Sequence, residues 1–224
     1  MFQEVFMYTT TQLFDLRHTL AGAYLARFSY PWQALPGLHE LILALGSQLG
    51  AEYREVAPQV WVHNTATVAP TAFLGDPCII GPGSEIRHCA FIRENALIGS
   101  GCVVGNSVEL KNAVLFDEVQ VPHFNYVGDS ILGFRAHLGA GAVTSNVKSD
   151  SSPVTIRDGE ETWDTGLSKC GAMVGDHAEV GCNSVLNPGT VLGANTTVYP
   201  LSCVRGVIPA NTILKTGNIL IAKA

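Results

Sequence analysis

The feature that most constrains this chain is a six-residue period of aliphatic residues between Val62 and Thr144. Fifteen positions follow the period, with two steps shortened to five residues, and fourteen of the fifteen are Val, Ile or Leu. Four residues after each of the first eight positions, the residue is small in seven cases. A period of six suits neither an amphipathic helix nor alternating strands. It is typical of a β-solenoid whose coils have three short flat sides.

The predicted fold is therefore mainly β, a left-handed parallel β-helix built from these hexapeptide repeats. The aliphatic residue of each repeat fills the interior of one flat side, and the small residue fits where the prism narrows toward a corner. Cys78 and Cys102 fall on small interior positions, where a thiol acts as a compact apolar group. An ordinary β-sandwich with chance spacing is the alternative, and the regularity of the period argues against it.

Residues 1–59 do not follow the period and form a separate segment, while residues 60–224 make up the predicted β-helix. The ranges 11–28 and 38–49 have the apolar spacing of helices. Pro31 separates them, because proline disfavours a helical conformation at the residue before it. We expect a helical plug over the first coil, which would otherwise expose an apolar end. Partner binding is the alternative role of this segment.

The ladder stops after Thr144 and resumes at Val174, so residues 145–173 are predicted to be an arm inserted between coils. Within the arm, residues 153–163 resemble a hairpin turning at Asp158-Gly159. An arm of this length is expected to pack poorly on its own solenoid, which favours a neighbouring subunit and a homotrimer. Residues 205–224 are predicted to form a closing strand or cap.

Bulk composition excludes several classes of protein. Lys and Arg number 13 against 19 Asp and Glu, giving a net charge of −6, so no nucleic-acid partner is expected. The sequence contains no apolar run of the length needed for a membrane span. The first ten residues have no basic stretch before an apolar core, so no secretory leader is predicted. The six cysteines lack a C-x-x-C spacing, which favours reduced thiols and a cytoplasmic location.

The repeat converts spacing into geometry, because residues 18 apart stand in neighbouring coils about 4.8 Å apart. Arg93 and Lys111 are 18 apart, and each directly follows an aliphatic position. Two stacked cations repel each other unless an anion lies between them, and a phosphate suits a guanidinium well. The alternative is a solvated pair offset by Glu94 or Glu109.

His123 is the second candidate, in the segment Val121-Pro-His-Phe-Asn-Tyr-Val-Gly-Asp129. A histidine near stacked cations is well placed for general-base work, since its reference pKa lies near neutrality. Asp129 or a backbone carbonyl could orient the ring, and a structural histidine is the alternative. His88, His123 and His137 could also meet at a zinc site between subunits. Their spacing does not match such a ligand set, so no metal is expected.

Three ungapped motifs carry a family resemblance: VELKNA at 108–113, VPHFNYVGDS at 121–130 and LGAGAVTSN at 138–146. They resemble the acetyltransferase half of bifunctional glucosamine-1-phosphate acetyltransferase/N-acetylglucosamine-1-phosphate uridylyltransferase. With DTG…K.GAMVGD near residues 164–176, they are also similar to archaeal-type sugar-1-phosphate nucleotidylyltransferases. The resemblance covers roughly residues 75–205 and implies a trimeric acetyltransferase that uses acetyl-CoA.

The resemblance implies roles for matching positions. Arg93 and Lys111 match the cations that bind the sugar phosphate, and Tyr126 matches another sugar-phosphate contact. His123 matches the general base of the family. Asn146 matches the asparagine beside the acetyl group, where it would steady the thioester carbonyl together with backbone amides.

Further positions follow from the same resemblance. Lys169 matches a lysine of an arm that reaches a neighbouring site, and Cys182 and Pro200 match positions along the coenzyme A groove. Two positions depart from the family pattern. His137 replaces an asparagine that contacts the sugar, and Val147 replaces an aromatic residue after the acetyl-site asparagine, so the choice of substrate is open.

Two functions follow as hypotheses. The first is acetyl-CoA-dependent N-acetylation of an amino-sugar phosphate such as glucosamine 1-phosphate, related to nucleotide-sugar biosynthesis. The second is a non-catalytic trimerising or regulatory subunit that binds sugar phosphate beside a separate nucleotidylyltransferase. Nucleotidylyltransferase activity is not expected, because residues 1–59 are too short for that domain and lack its Gly-rich loop.

Overall fold

The structure is a computed structural model that describes residues 7–217 and 219–223. Residues 1–6, which include part of the stretch searched for a leader, lie outside the described residues, as do residues 218 and 224 of the predicted cap. The architecture is the predicted left-handed parallel β-helix, with a helical segment before it and a hairpin arm within it.

Short parallel strands form three flat faces, which we number in the order in which each coil passes through them. Face 1 consists of Phe73–Leu74, Phe91–Ile92, the first part of Glu109–Leu115, the first part of Tyr126–Leu132, Val143–Thr144, Val185–Leu186 and Cys203–Val204. Face 2 consists of Val60–His63, Cys78–Ile80, Ala96–Ile98, the remaining parts of the two long strands, Ala172–Val174, Thr190–Leu192 and Val207–Ile208. Face 3 consists of Thr67–Val68, Glu85–Ile86, Val103–Asn106, Gln120–His123, His137–Leu138, Glu179–Val180, Thr197–Val198 and Thr212–Lys215.

The two shortened steps of the period explain the two long strands. Glu109–Leu115 and Tyr126–Leu132 run through the corner between faces 1 and 2 without a break. Only one residue turns each of these corners, Asn112 with φ 48° and Asp129 with φ 47°. Asn and Asp tolerate this left-handed conformation better than most residues. The tight corner therefore selects side chains that are also polar.

The aliphatic ladder fills the interior, as predicted. Its members from Ile80 to Leu138 are buried, and so are the small residues Cys78 and Cys102. The exception, Thr144, is buried too, and its hydroxyl accepts hydrogen bonds from Gly128 N and Ser130 Oγ, both at 3.0 Å. Its polarity satisfies backbone and hydroxyl groups where the strand Tyr126–Leu132 changes partners.

The helical segment is more broken than predicted. It contains α-helices at Thr10–Leu13, Gly22–Leu25 and Leu38–Gly46 and 3-10 helices at Leu16–His18 and Pro31–Gly37. The helix expected at 38–49 is present, whereas the range 11–28 is divided into three short pieces. Pro31 begins a 3-10 helix, where its fixed φ and missing N–H are tolerated. Among the described helices, none has the length and apolar composition to cross a membrane.

The helical segment does not plug the first coil, and that prediction is wrong. It lies along face 2, from the Tyr8 hydroxyl, which accepts from Ala210 N at the last coils, to Gly46, which contacts the Trp61 ring at the first. Beneath it, the middle residue of each face-2 strand points outward and is buried from Ile79 to Val191. This outward ladder is Trp61, Ile79, Leu97, Val114, Ile131, Met173, Val191 and Val207.

Antiparallel strands flank the two ends of the solenoid. Tyr53–Ala57 pairs with Val60–His63 beside the first coil. At the other end, Ile219–Ala222 turns back along Thr212–Lys215. These short pairs lie where parallel stacking starts and stops, so the first coil is bordered by a strand and not by a helix.

The arm contains the predicted hairpin, with strands Thr155–Asp158 and Glu161–Asp164. The expectation that it packs poorly on its own solenoid is wrong. Val154 and Ile156 are buried, and both lie against Gly189 of the same chain. The arm is therefore held by its own coils, because its apolar side faces a position without a side chain.

Candidate functional site

Two cations stack at the end of face 1, where the coil turns toward face 2. Ile92 pairs with Leu110 in the parallel register, so the next residues, Arg93 and Lys111, are neighbours. Lys111 in turn pairs with Gly128. The stacking predicted from the 18-residue spacing is thus present, and the coil above Lys111 carries no side chain at the matching position.

Three carboxylates surround the two cations. Glu109 Oε1 lies 3.1 Å from Arg93 Nη1, and Asp129 Oδ1 lies 3.5 Å from Lys111 Nζ. Glu94 lies between the cations, with Oε2 3.6 Å from Arg93 Nε and Oε1 3.8 Å from Lys111 Nζ. The hydrogen bond that Arg93 donates to Glu109 raises the pKa of the Arg93 guanidinium. The acidic offset considered as the alternative to a phosphate seat is therefore present, and it includes Asp129 as well.

A column of polar side chains runs beside the cations along the corner. Asn112 Nδ2 donates to Asp129 Oδ1 at 2.9 Å, and Asn146 Nδ2 donates to Asp129 Oδ2 at 2.5 Å. Asp129 is 4% exposed and is bound by these amides and by Lys111, so it does not orient His123, and that prediction is wrong. A second hydrogen bond, to the Tyr126 hydroxyl at 3.1 Å, occupies the other N–H of Asn146. Asn146 therefore has no free N–H for a carbonyl oxygen in this geometry.

Tyr126 leans across the corner toward this column. Its hydroxyl lies over Gly128, where a Cβ would collide with it. Burial raises the pKa of the Tyr126 phenol, so the phenol stays protonated at neutral pH. Because the hydroxyl accepts from Asn146, its own proton remains available to a ligand. We call these eight residues the corner cluster: Arg93, Glu94, Glu109, Lys111, Asn112, Tyr126, Asp129 and Asn146.

His123 lies on the opposite edge of face 1, at the corner with face 3. It ends the strand Gln120–His123 and pairs with Asn106. Its backbone N donates to Asn125 Oδ1 at 3.1 Å and its carbonyl accepts from Gly141 N at 3.0 Å. Within the described residues, the exposed imidazole makes no hydrogen bond. The structure thus separates His123 from the two cations of the corner cluster by the length of a face-1 strand, about three residues or roughly 10 Å.

Cys182 and Pro200 follow His123 along the same edge. Gly141 N bonds to His123 O, Asn183 N bonds to Ala140 O, and Leu201 N bonds to Cys182 O, so successive coils stack there. Both Cys182 and Pro200 are exposed. The two positions matched to a coenzyme A groove therefore lie on the same edge as His123, in later coils.

Lys169 and His137 occupy different surroundings. Lys169 is exposed at the end of the arm, and the next residue, Cys170, donates its N–H to Asn146 O at 2.9 Å. Lys169 thus lies beside the corner cluster of its own chain. His137 is on face 3, where its Nδ1 lies 2.7 Å from Glu179 Oε2. Within one chain, His137 does not join the other predicted site residues.

Sequence reasoning did not assign Asn112 to the site and considered Asp129 only beside His123. A signal was available, because Asn112, Asp129 and Asn146 are each 17 residues apart, the coil length after a shortened step. Polar residues at that spacing at one corner stack in contact.

Within the ranges 7–217 and 219–223 of one chain, no group of three His, Cys, Asp or Glu side chains could hold a metal. His88 contacts Thr71 Oγ1 at 2.7 Å and Cys89 Sγ at 3.2 Å.

Comparison with known proteins places these residues in context. The family model described as the GMPPB C-terminal domain matches residues 76–160, which include the corner cluster, His123 and His137. The bifunctional sugar-1-phosphate nucleotidylyltransferase/acetyltransferase of Sulfurisphaera tokodaii is 32% identical over 90 residues, which are 40% of this chain and 22% of that protein. A protein named as the uncharacterized acetyltransferase YaiX of Escherichia coli O6:K15:H31 is 31% identical over 114 residues, 48% of this chain and 50% of that protein.

The chain spans half or less of the length of these two curated relatives. Among solved structures, it is similar to the acetyltransferase domain of PglB from Neisseria gonorrhoeae FA1090, with 13% identity and a TM-score of 0.35, covering 82% of this chain and 64% of that chain. The resemblance inferred from the motifs is confirmed by the sequence relatives. Over part of its solenoid, the chain is a hexapeptide-repeat relative of the bifunctional sugar-1-phosphate nucleotidylyltransferase/acetyltransferases.

Proposed function

We propose that this protein is an acetyl-CoA-dependent N-acetyltransferase acting on an amino-sugar phosphate of the glucosamine 1-phosphate type. The observation that carries the proposal is the placement of stacked cations, Arg93 and Lys111, across face 1 from His123. The relatives from S. tokodaii and E. coli are named as acetyltransferases, which supports the type of reaction.

The phosphate of the substrate binds at the corner cluster. Arg93 and Lys111 supply charge, and the protonated Tyr126 hydroxyl supplies a further donor. A hexose phosphate held there lies across face 1 and directs its amine toward the edge that carries His123. Asn146 acts as a positioning residue, because it holds Tyr126 and Asp129 together.

His123 acts as the general base. The amine nitrogen forms a bond to the carbonyl carbon of the thioester, and His123 accepts the proton that the nitrogen loses. The bond from carbon to sulfur then breaks, and the thiolate leaves and takes up a proton. A free amine is a sufficient nucleophile for a thioester, so no covalent enzyme intermediate is required. Backbone N–H groups are left to stabilise the carbonyl oxygen, since both N–H groups of Asn146 are engaged.

Coenzyme A lies along the edge between faces 3 and 1, past Cys182 and Pro200, so that its thioester reaches His123. Phe124 and Leu201 on the same edge are 63% and 77% exposed, which leaves two large apolar side chains there for contact with a neighbouring subunit. We therefore propose a homotrimer with clefts between adjacent solenoids, in which His137 of a neighbouring subunit approaches the cleft while Lys169 lies beside the corner cluster of its own chain. Sedimentation is expected to show a trimer; a monomer at micromolar concentration contradicts this arrangement.

The test is acetyl transfer from acetyl-CoA to glucosamine 1-phosphate, measured by thiol release, with related amino-sugar phosphates in parallel. Lys111→Ala is expected to raise KM by about 10-fold or more, because it removes a charged contact to the phosphate. If none of the amino-sugar phosphates is acetylated, the proposed acceptor is wrong.

The second candidate is a non-catalytic subunit that binds sugar phosphate. The carboxylates against Arg93 and Lys111 favour it, because they already neutralise the cations. Calorimetric titration with coenzyme A separates the two functions. Absence of coenzyme A binding supports the non-catalytic subunit, whereas binding supports the transferase.

A further inference from the structure

Glu94 occupies a position that the predicted site roles leave unexplained. Its two carboxylate oxygens divide between the two stacked cations, one 3.6 Å from Arg93 Nε and the other 3.8 Å from Lys111 Nζ. A phosphate that bridges the same two cations needs the same donor directions. The carboxylate and the phosphate therefore compete for one place.

We infer that Glu94 is a resident counter-ion that a phosphate monoester must displace in order to bind. Because this role rests on the proposed function, it concerns the same substrate class, the amino-sugar phosphates. It adds a specificity element: an anion binds only if it interacts with Arg93 and Lys111 better than the tethered carboxylate does.

The three acids of the corner cluster differ in how firmly they are held. Asp129 is 6% exposed at its side chain and accepts hydrogen bonds from two amides. Glu109 accepts from Arg93 Nη1 at 3.1 Å, which fixes the guanidinium without covering its Nε edge. Glu94 is 41% exposed at its side chain, and neither of its contacts is within hydrogen-bond distance. Glu94 is thus the acid that can leave at little cost.

Displacement also removes an electrostatic obstacle. With Glu94 in place, two cations face three carboxylates, so the cluster opposes a second anion. When Glu94 turns into solvent, the two cations face two carboxylates, and its charge is screened by water and salt. The exposed position of Glu94 at the corner leaves its side chain free to make this movement.

The test uses calorimetry to compare the affinities of the 224-residue chain and its Glu94→Gln variant for glucosamine 1-phosphate. Removing a weak, exposed ion-pair partner should tighten binding by about 2- to 5-fold. Glu118→Gln is the matched control, since Glu118 pairs with Arg135 at 2.7 Å at the corner between faces 2 and 3 and its loss changes the net charge equally. Glu118→Gln is expected to leave the affinity unchanged, and unchanged melting temperatures show that both variants are folded.

The outcomes separate the two claims. If the wild-type protein binds glucosamine 1-phosphate and Glu94→Gln binds it equally or more weakly, Glu94 is not a competitor and the inference is overturned alone. An equal gain in Glu118→Gln also overturns it, because the effect is then one of net charge. If neither the wild type nor Glu94→Gln binds the sugar phosphate, the phosphate seat is wrong and the proposed function fails with it.

Discussion

Faces 1 and 2 of the solenoid share one interior but differ in what they present outward. On face 2, the outward ladder is apolar and is buried beneath the helical segment, as at Leu97 and Ile131. On face 1, the outward ladder includes Glu109 and Tyr126, and the residue after each interior position adds Arg93 and Lys111. The same repeat thus buries the outward side of one face and leaves the other as a surface that carries the candidate site residues.

The difference shows that the six-residue period determines the coil and not the use of its faces. Each strand offers an outward position that the interior does not constrain, because successive side chains point to opposite sides. On face 2 this position is apolar and is buried from Ile79 to Val191. On face 1 it is mixed, as at Phe91, Glu109 and Tyr126, and it is exposed or half-buried. The residues that repeat at the coil length of 17 or 18 therefore indicate which face is covered and which carries polar side chains.

The largest expected effect concerns the edge of face 1. His123→Ala should lower kcat by about 10²- to 10⁴-fold, because it removes the general base. The affinity for sugar phosphate should change little, since the phosphate binds at the other edge. His88→Ala is the matched control, because His88 lies on the same edge in an earlier coil. Equal rates for His123→Ala and wild type in the acetyl-transfer assay contradict the assignment.

The next effect tests the coverage of face 2. Leu97→Ala should reduce the free energy of unfolding by about 2–5 kcal/mol, because Leu97 is 1% exposed beneath the helical segment. Phe91 is an outward residue of face 1 in the same coil; it is 42% exposed, and its ring centroid lies 5.5 Å from that of Phe73. Phe91→Ala should reduce the free energy of unfolding by about 1 kcal/mol. Chemical denaturation measures both, and equal losses would mean that the two faces are equally covered.

The smallest effect tests the interior that the faces share. Cys78 is buried at a small interior position, and burial raises the pKa of its thiol to about 12, so it is a neutral apolar group. Cys78→Leu should cost about 1–3 kcal/mol through overpacking, whereas Cys78→Ser should be mild. Equal melting temperatures of the two variants would show that the register of the coil is wrong.

Much of the fold was predictable because the interior of a β-helix repeats in sequence. The aliphatic ladder, the hairpin at Asp158-Gly159 and the helix at Leu38–Gly46 follow from local patterns. The position of the helical segment did not follow from them, because it depends on the outward ladder of face 2. The contact of Val154 and Ile156 with their own solenoid likewise depends on Gly189, which is distant in sequence.

The candidate site was predictable in part. Stacking of Arg93 on Lys111 follows from the spacing of 18, and the structure contains it. The hydrogen-bond partners do not follow, because side chains choose among several neighbours in three dimensions. Asp129 accepts from Asn112 and Asn146 and leaves His123 without a carboxylate partner among the described residues. The role of His123 remains a prediction.

The most direct test of the division between the two faces is an experimental structure of the protein with coenzyme A and glucosamine 1-phosphate bound. The account predicts the phosphate at Arg93 and Lys111 with Glu94 displaced, and the thiol end of coenzyme A beside His123. The N-terminal segment should still cover Leu97 on face 2. A phosphate bound away from Arg93 and Lys111, or either ligand bound beneath the helical segment, would contradict the account.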